Sequence, residues 1–236
     1  MQGKVTTLAV NKFIEEAKIT AKLQHAGVVP IYDIGKTADN NMFFTMKKVV
    51  GVTLRDIIKE VHELPIEKRW NSLEEEWSIY RLLSLFLRVC ETLAYVHMQD
   101  VLHLDIKPSN IMISEHGEVF IVDWGLAKVL SEEQEDQGIV GTPAYMAPEQ
   151  AEGLREALNP STDVYALGAI LYEVLTGARA VEGNTTPEVL AKVVSYRGSR
   201  FSCMRADPAS GTLLAARVLL VAPEALVGGG RFAQDE

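Results

Sequence analysis

Two short β-branched runs, Ile111-Met112-Ile113 and Val119-Phe120-Ile121-Val122, stand either side of a turn at Glu115-His116-Gly117, and nothing else constrains the chain as much. Apolar runs of that length around a Gly-containing turn predict an antiparallel hairpin. A hairpin brings its ends together, so Asn110, just before the first strand, is expected close to Asp123, just after the second. Two side-chain oxygens at one end of a hairpin suit a hard cation such as Mg²⁺, which takes one or two protein oxygens and fills its shell with water and phosphate. Asp105 and Lys107 lie a few residues upstream in the same loop. One can accept a proton and the other can offset the charge of a phosphoryl oxygen.

His103-Leu104-Asp105-Ile106-Lys107-Pro108-Ser109-Asn110 together with Asp123-Trp124-Gly125 resembles the catalytic and metal loops of the protein kinases, H-R-D-L-x-x-x-N and D-F-G. Downstream, Gly141-Thr142-Pro143-Ala144-Tyr145-Met146-Ala147-Pro148-Glu149 resembles the segment that ends in A-P-E. Asp163-Val164-Tyr165-Ala166-Leu167-Gly168 resembles the start of the family's central buried helix. The motifs come in the family's order. Lys107 two residues after Asp105, and Gln150 directly after Glu149, are similar to the eukaryotic-like Ser/Thr kinases of bacteria.

The resemblance implies an α+β, two-lobed kinase-like fold. Residues 1–50 would form a partial small β lobe, 51–194 a mainly helical large lobe, and 195–236 a divergent tail without family likeness. It also implies roles. Asp105 would orient a substrate hydroxyl and accept its proton, and Lys107 would steady the transferring phosphate. Asn110 and Asp123 would hold Mg²⁺. Met112 would pack beneath the adenine of ATP, Met46 would close the back of that pocket, and backbone groups of Lys47 and Val49 would bond the adenine edge. Glu16 matches the helix carboxylate that meets the strand-three Lys; read without the family it is a solvated carboxylate like Glu15. Thr142 would bond the catalytic Asp105, and Glu149 belongs to the substrate-docking segment. Asp163 would anchor the catalytic loop, its plainer reading being a first-turn carboxylate favoured by the helix dipole. His103 and Trp124 would stack between the lobes. The cofactors implied are ATP and Mg²⁺, and the partner a protein with a Ser or Thr hydroxyl.

The rest of the chain predicts a globular protein around these motifs. Net charge is −9, with 23 Lys and Arg against 32 Asp and Glu, which excludes the basic footprint of a nucleic-acid binder. Two distant cysteines, Cys90 and Cys203, suggest no disulfide framework and point to a reducing, cytoplasmic setting. Met1 to Thr7 holds no apolar leader core, and the apolar stretch 212–222, broken by Arg217, is too short to span a bilayer.

Helical spacing predicts a helix over 11–24 with Phe13, Ala17, Ala21 and Gln24 on its buried face. A hairpin is expected over 28–34 and 42–46 across Asp39-Asn40-Asn41. Thr53 is expected to cap a short helix from Leu54 to about Val61, and Ser72 with Glu75 to start a long one ending near His97. Trp77, Leu82, Leu83, Phe86, Val89, Leu93 and Val96 would form its buried side, with Cys90 in the core. Ser161-Thr162 would cap a buried helix through Leu167, Leu171 and Val174, stopped at Thr176-Gly177.

Three departures from the family pattern set an expectation of weak or absent catalysis by this chain. The sequence contains no G-x-G-x-x-G loop and no V-A-I-K strand, the elements that cover the phosphates and supply a Lys. Leu104 stands where many family members carry an Arg that pairs with a phosphate. The altered tail removes the source of a partner for Glu149, which is expected to be left unpaired. Three readings therefore compete: a Ser/Thr protein kinase, here truncated; a pseudokinase or partner-binding fragment; and a small-molecule phosphotransferase of the same fold, against which the 141–149 segment argues.

Overall fold

A computed structural model describes residues 7–69, 77–130 and 138–195. In chain order the elements are α1 (Thr7–Lys22), β1 (Ile31–Lys36), β2 (Met42–Met46), β3 (Gly51–Thr53), α2 (Leu54–Glu63), the single turn α3 (Ile66–Arg69) and α4 (Ile79–Met98). Then come β4 (Val101–Leu102), β5 (Ile111–Ser114), β6 (Val119–Ile121), β7 (Lys128–Val129), α5 (Pro148–Ala151), α6 (Pro160–Thr176) and α7 (Thr186–Ser195).

The strands form three small antiparallel sheets, ordered β1-β2, β3-β5-β6 and β4-β7. The first carries α1 on one side, where Phe13 stacks on Phe44 with ring centroids 4.7 Å apart. The second contains the expected hairpin, with Ile111 facing Ile121 and Ile113 facing Val119. Gly51 opens its third strand. A Cβ there would lie 1.9 Å from the carbonyl oxygen of Ile113, so the backbones approach too closely for any side chain.

The two lengths of helix α4 and α6 form the centre of the large, helical part. Leu82, Val89, Leu93 and Val96 from α4 meet Leu167, Ile170, Leu171 and Val174 from α6, and Leu54, Ile57 and Val61 of α2 complete the same core with Ile111, Ile113 and Ile121 of the hairpin. Helix α2 begins as its sequence predicts. The Thr53 hydroxyl accepts from the Asp56 amide while the Asp56 carboxylate accepts from the Thr53 amide, a reciprocal cap.

Several local expectations are corrected. Helix α4 starts at Ile79, capped by Ser78; Ser72 and Glu75 lie outside the described residues, as does the tail after Ser195. Trp77 is buried but precedes the helix. Cys90 is only partly buried, at the edge of the core. Helix α6 is capped by Asn159, with Pro160 at its first position and Thr162 closing the cap from its third. Asn is among the best capping residues and Pro suits the first helical position, so Asn159-Pro160 outcompetes Ser161. Helix α1 is rotated from the expected face. Ala21 and Gln24 are exposed, and Ala17, Ile19, Thr20 and Leu23 are buried. Strand β1 starts at Ile31 because Val28 pairs instead with Ile121, and the Ile121 amide donates to Gly27 O at 2.8 Å. That contact seats the end of α1 on the central hairpin, beside the loop that follows it.

Candidate active site

The stretch from His103 to Asn110 is held from below by one carboxylate. Asp163, at the N-terminal turn of α6 and 1% exposed, accepts the amides of His103 and Leu104 at 2.9 Å each and faces His97 Nε2 at 2.8 Å. Burial by itself would raise the Asp163 carboxyl, but the hydrogen bond and charge of His97, with His103 beside it, hold it below the usual carboxylate range. This support lets Leu104 keep a φ of 65°, a conformation that bulky residues avoid.

On the upper side of the loop four predicted residues come together. Thr142 Oγ1 donates to Asp105 Oδ1 at 2.7 Å, Lys107 Nζ reaches Asp105 Oδ2 at 2.5 Å and Thr142 Oγ1 at 2.9 Å, and Asn110 Nδ2 donates to the Asp105 carbonyl at 3.0 Å. Both nitrogen donors of this cluster therefore point at Asp105. Since Asn110 Nδ2 is turned that way, its Oδ1 is turned the other.

Asp123 follows the hairpin with a φ of 64° and an exposed side chain. The Val122 amide donates to Asn110 O at 2.9 Å, so the two ends of the hairpin are bonded and Asn110 and Asp123 sit at the same end. Two side-chain oxygens so placed fit Mg²⁺, with water and phosphate completing the shell. Among the described residues there is no cluster of three His, Cys, Asp or Glu that would make a self-contained metal cage.

Behind Asp123, the His103 and Trp124 rings lie 4.6 Å apart, Trp124 Nε1 donates to Ile121 O, and His103 Nε2 lies 3.2 Å from Val122 O. Glu16 of α1 reaches this loop. Its Oε2 would lie 3.3 Å from a Cβ at Gly125, and Asp123 Oδ1 3.4 Å from the same point. Burial, and then the Asp123 charge, raise the Glu16 carboxyl. Among the described residues no Lys or Arg forms an ion pair with Glu16.

The adenine-side residues are placed less completely. Met112 is half-buried on β5. Met46, at the end of β2, is 43% exposed. The Lys47 amide is bonded to Pro30 O at 3.1 Å, which leaves its carbonyl as the backbone group open to a ligand. Its side chain pairs with Glu118 at 2.9 Å over the Phe120 ring. Among the described residues nothing bonds the Lys47 carbonyl or the Val49 amide, and these are the groups that could meet an adenine edge.

Glu149 is not left bare. The Thr162 hydroxyl donates to its Oε1 at 2.7 Å, a partner supplied by α6 rather than by the tail. Sequence reasoning also missed two buried polar groups and one half-buried one. Gln150 bonds the carbonyls of Leu104 and Val140. Tyr145 donates to Glu173, and burial, followed by that hydrogen bond, pushes its phenol well above the usual range. His62 on α2 lies 2.9 Å from Val174 O with Arg69 against its other ring nitrogen.

The sequence model of the protein kinase domain matches residues 2–208 of this chain. The chain belongs to the protein kinase family. Its relatives include the serine/threonine-protein kinase PknD of Chlamydia muridarum (strain MoPn / Nigg), 39% identical over 189 residues, covering 70% of this chain and 20% of the relative. PknD of Protochlamydia amoebophila (strain UWE25) is 39% identical over 185 residues, with 70% and 18% covered. PknD of Chlamydia caviae is 39% identical over 190 residues, with 72% and 20% covered. The chain thus spans about a fifth of the length of the curated relatives it matches. The kinase fold is α+β, as expected, and no helix among the described residues is long and apolar enough to cross a membrane.

Two histidines of this kinase domain make acid a destabilising condition. Burial depresses the imidazole of His103 most, against the opposing pull of Asp163, and burial likewise depresses His62. Both stay neutral in the folded chain below the pH at which they would charge when unfolded. The unfolded state therefore binds more protons, and stability falls as pH drops through about 6.5, with a limiting slope of about 1.4 kcal/mol per pH unit for a fully buried imidazole. Denaturant midpoints at pH 7.5, 6.5 and 5.5 should decline in that order. A midpoint that holds steady or rises would contradict this.

Proposed function

We propose that this chain carries the phosphotransfer centre of a Ser/Thr protein kinase, which moves the γ-phosphate of ATP to a Ser or Thr hydroxyl of a protein substrate. The observation that carries the reading is the triangle of Asp105, Lys107 and Thr142, with Asn110 on the other flank of Asp105. A carboxylate held between a hydroxyl and an ammonium is placed to orient an incoming hydroxyl and take its proton. ATP with Mg²⁺ supplies the phosphoryl group and the metal charge.

The chain's own residues do the positioning. Lys107 would offset the charge of the phosphoryl oxygens, and Asn110 Oδ1 with the Asp123 carboxylate would hold Mg²⁺ at the hairpin end. Met112, the Lys47 carbonyl and the Val49 amide line the adenine side. A cleft that starts at Thr142, Pro143 and Ala144 and continues past Arg179, Val181 and Val189 offers the substrate polypeptide a path beside Asp105. Use of ATP and the free thiol of Cys90 suit a cytoplasmic setting.

A second reading is a partner-binding module without catalysis. Glu16, close to Asp123 and with no ion-paired cation of its own among the described residues, favours it, since two carboxylates then lie near one another with no Lys or Arg paired to Glu16. Calorimetry separates the two. Mg²⁺-dependent ATP binding by the purified chain, abolished in Asp123→Ala, is expected for a phosphotransfer centre. No binding by a chain whose melting curve shows it folded would leave the binding module.

A further inference from the structure

Gln150 has no part in the roles above, yet it is 7% exposed with its amide set between two carbonyls. Its Nε2 donates to Leu104 O at 2.6 Å, in the catalytic loop, and to Val140 O at 2.9 Å, two residues ahead of Thr142. An amide nitrogen carries two hydrogens and each neighbour is purely an acceptor, so both donors are used. The backbone around the bridge is shaped to admit it. Gly141 has a φ of 116°, and a Cβ there would stand 2.8 Å from Gln150 Nε2 and 2.9 Å from Leu104 O. Only glycine leaves the room the amide occupies. On the other side, Leu104 offers this gap a carbonyl and an apolar side chain, and Leu126, Leu154 and Leu158 border the same hollow.

We propose that Gln150 is a positioning residue whose amide ties residues 140–142 to the catalytic loop and thereby sets the Thr142–Asp105 contact that an incoming substrate hydroxyl meets. The inference rests on the phosphotransfer reading of Asp105 and concerns the protein-substrate side of that reaction. The bridge spans the catalytic loop and the substrate-docking segment, which among the described residues are otherwise hydrogen-bonded here through the Thr142 hydroxyl, to Asp105 and Lys107. Loss of the amide would free the docking segment before it disturbed the metal or nucleotide side.

Hydrogen–deuterium exchange on the full chain tests this without needing turnover. Gln150→Leu keeps the bulk and removes both donors; Gln150→Glu sets carboxylate oxygens against two carbonyls. Exchange over residues 138–145 should rise about tenfold in Gln150→Leu, and further in Gln150→Glu, with the middle of α4 unchanged. Equal exchange over 138–145 in the wild type and Gln150→Leu overturns the proposal. Gly141→Ala pushes a methyl into the bridge while keeping Gln150, and carries the test if Gln150→Leu fails to fold. It should give the same rise, and combining the two should add nothing, whereas additive effects would overturn a shared bridge.

In phosphotransfer assays the KM for a protein substrate should rise about tenfold while ATP affinity holds. An equal loss of ATP affinity counts against a role confined to the substrate side. Absence of ATP binding in the wild type would sink the phosphotransfer reading instead, and the exchange data would still decide whether the bridge holds the segment.

Discussion

Asp163→Ala is expected to lower the stability of the chain by about 3–5 kcal/mol, because it orphans two buried backbone amides at once and strips His97 of its partner. Each unpaired buried donor costs on the order of 1–3 kcal/mol. The carboxylate is 1% exposed and water cannot replace it. Leu104 would also lose the support for its left-handed backbone. For a domain of this size the melting temperature should drop by roughly 10 °C. Asp163→Asn keeps the volume but brings one acceptor oxygen where two are used, so it should fall between the wild type and Ala. A loss below about 1 kcal/mol for Ala would mean that the loop is held elsewhere.

The second large effect is on chemistry. Asp105→Asn keeps the shape of the cluster, and its remaining carbonyl oxygen can still accept from Thr142 or from Lys107. It cannot take a proton. Phosphotransfer to a protein hydroxyl should fall by about 10²–10⁴-fold, the range set by general-base catalysis, with the KM for ATP little changed. The check is a pair of steady-state titrations, one in ATP and one in substrate, beside a melting curve to show that the fold survives. Turnover within a few-fold of the wild type would remove Asp105 from the reaction, and with it the reading that Lys107 and Thr142 serve one centre.

Elements encoded by short-range pattern are legible in the sequence. The hairpin pairing of 111–113 with 119–121, the strand Met42–Met46, and the start of α2 at Thr53 all arise from residues near one another in the chain, whose preferences for strand, turn or cap need no outside partner. The order of motifs from His103 to Asp163 belongs to the same class, because the bonds joining Asn110 to Asp105 and to Val122 close over only a few residues or one hairpin. The cap of α6 is legible too, in Asn159-Pro160, although Ser161-Thr162 offers a competing cap just after it.

What remained was settled by contacts between distant segments. Which face of α1 is buried depends on where its end is seated, and that is decided by Gly27 and Val28 meeting Ile121. The Glu16 carboxylate has a neighbour only once α1 lies against the loop after the hairpin. Glu149 finds Thr162, and Gln150 finds Leu104 and Val140, across separations that periodicity does not encode. By itself the sequence determined the local elements and the residue types gathered at the site, since these follow from backbone preference and apolar spacing. The tertiary structure alone decided which buried polar groups satisfy one another, because a hydrogen bond needs its two atoms within about 3 Å and only the packed chain sets that distance.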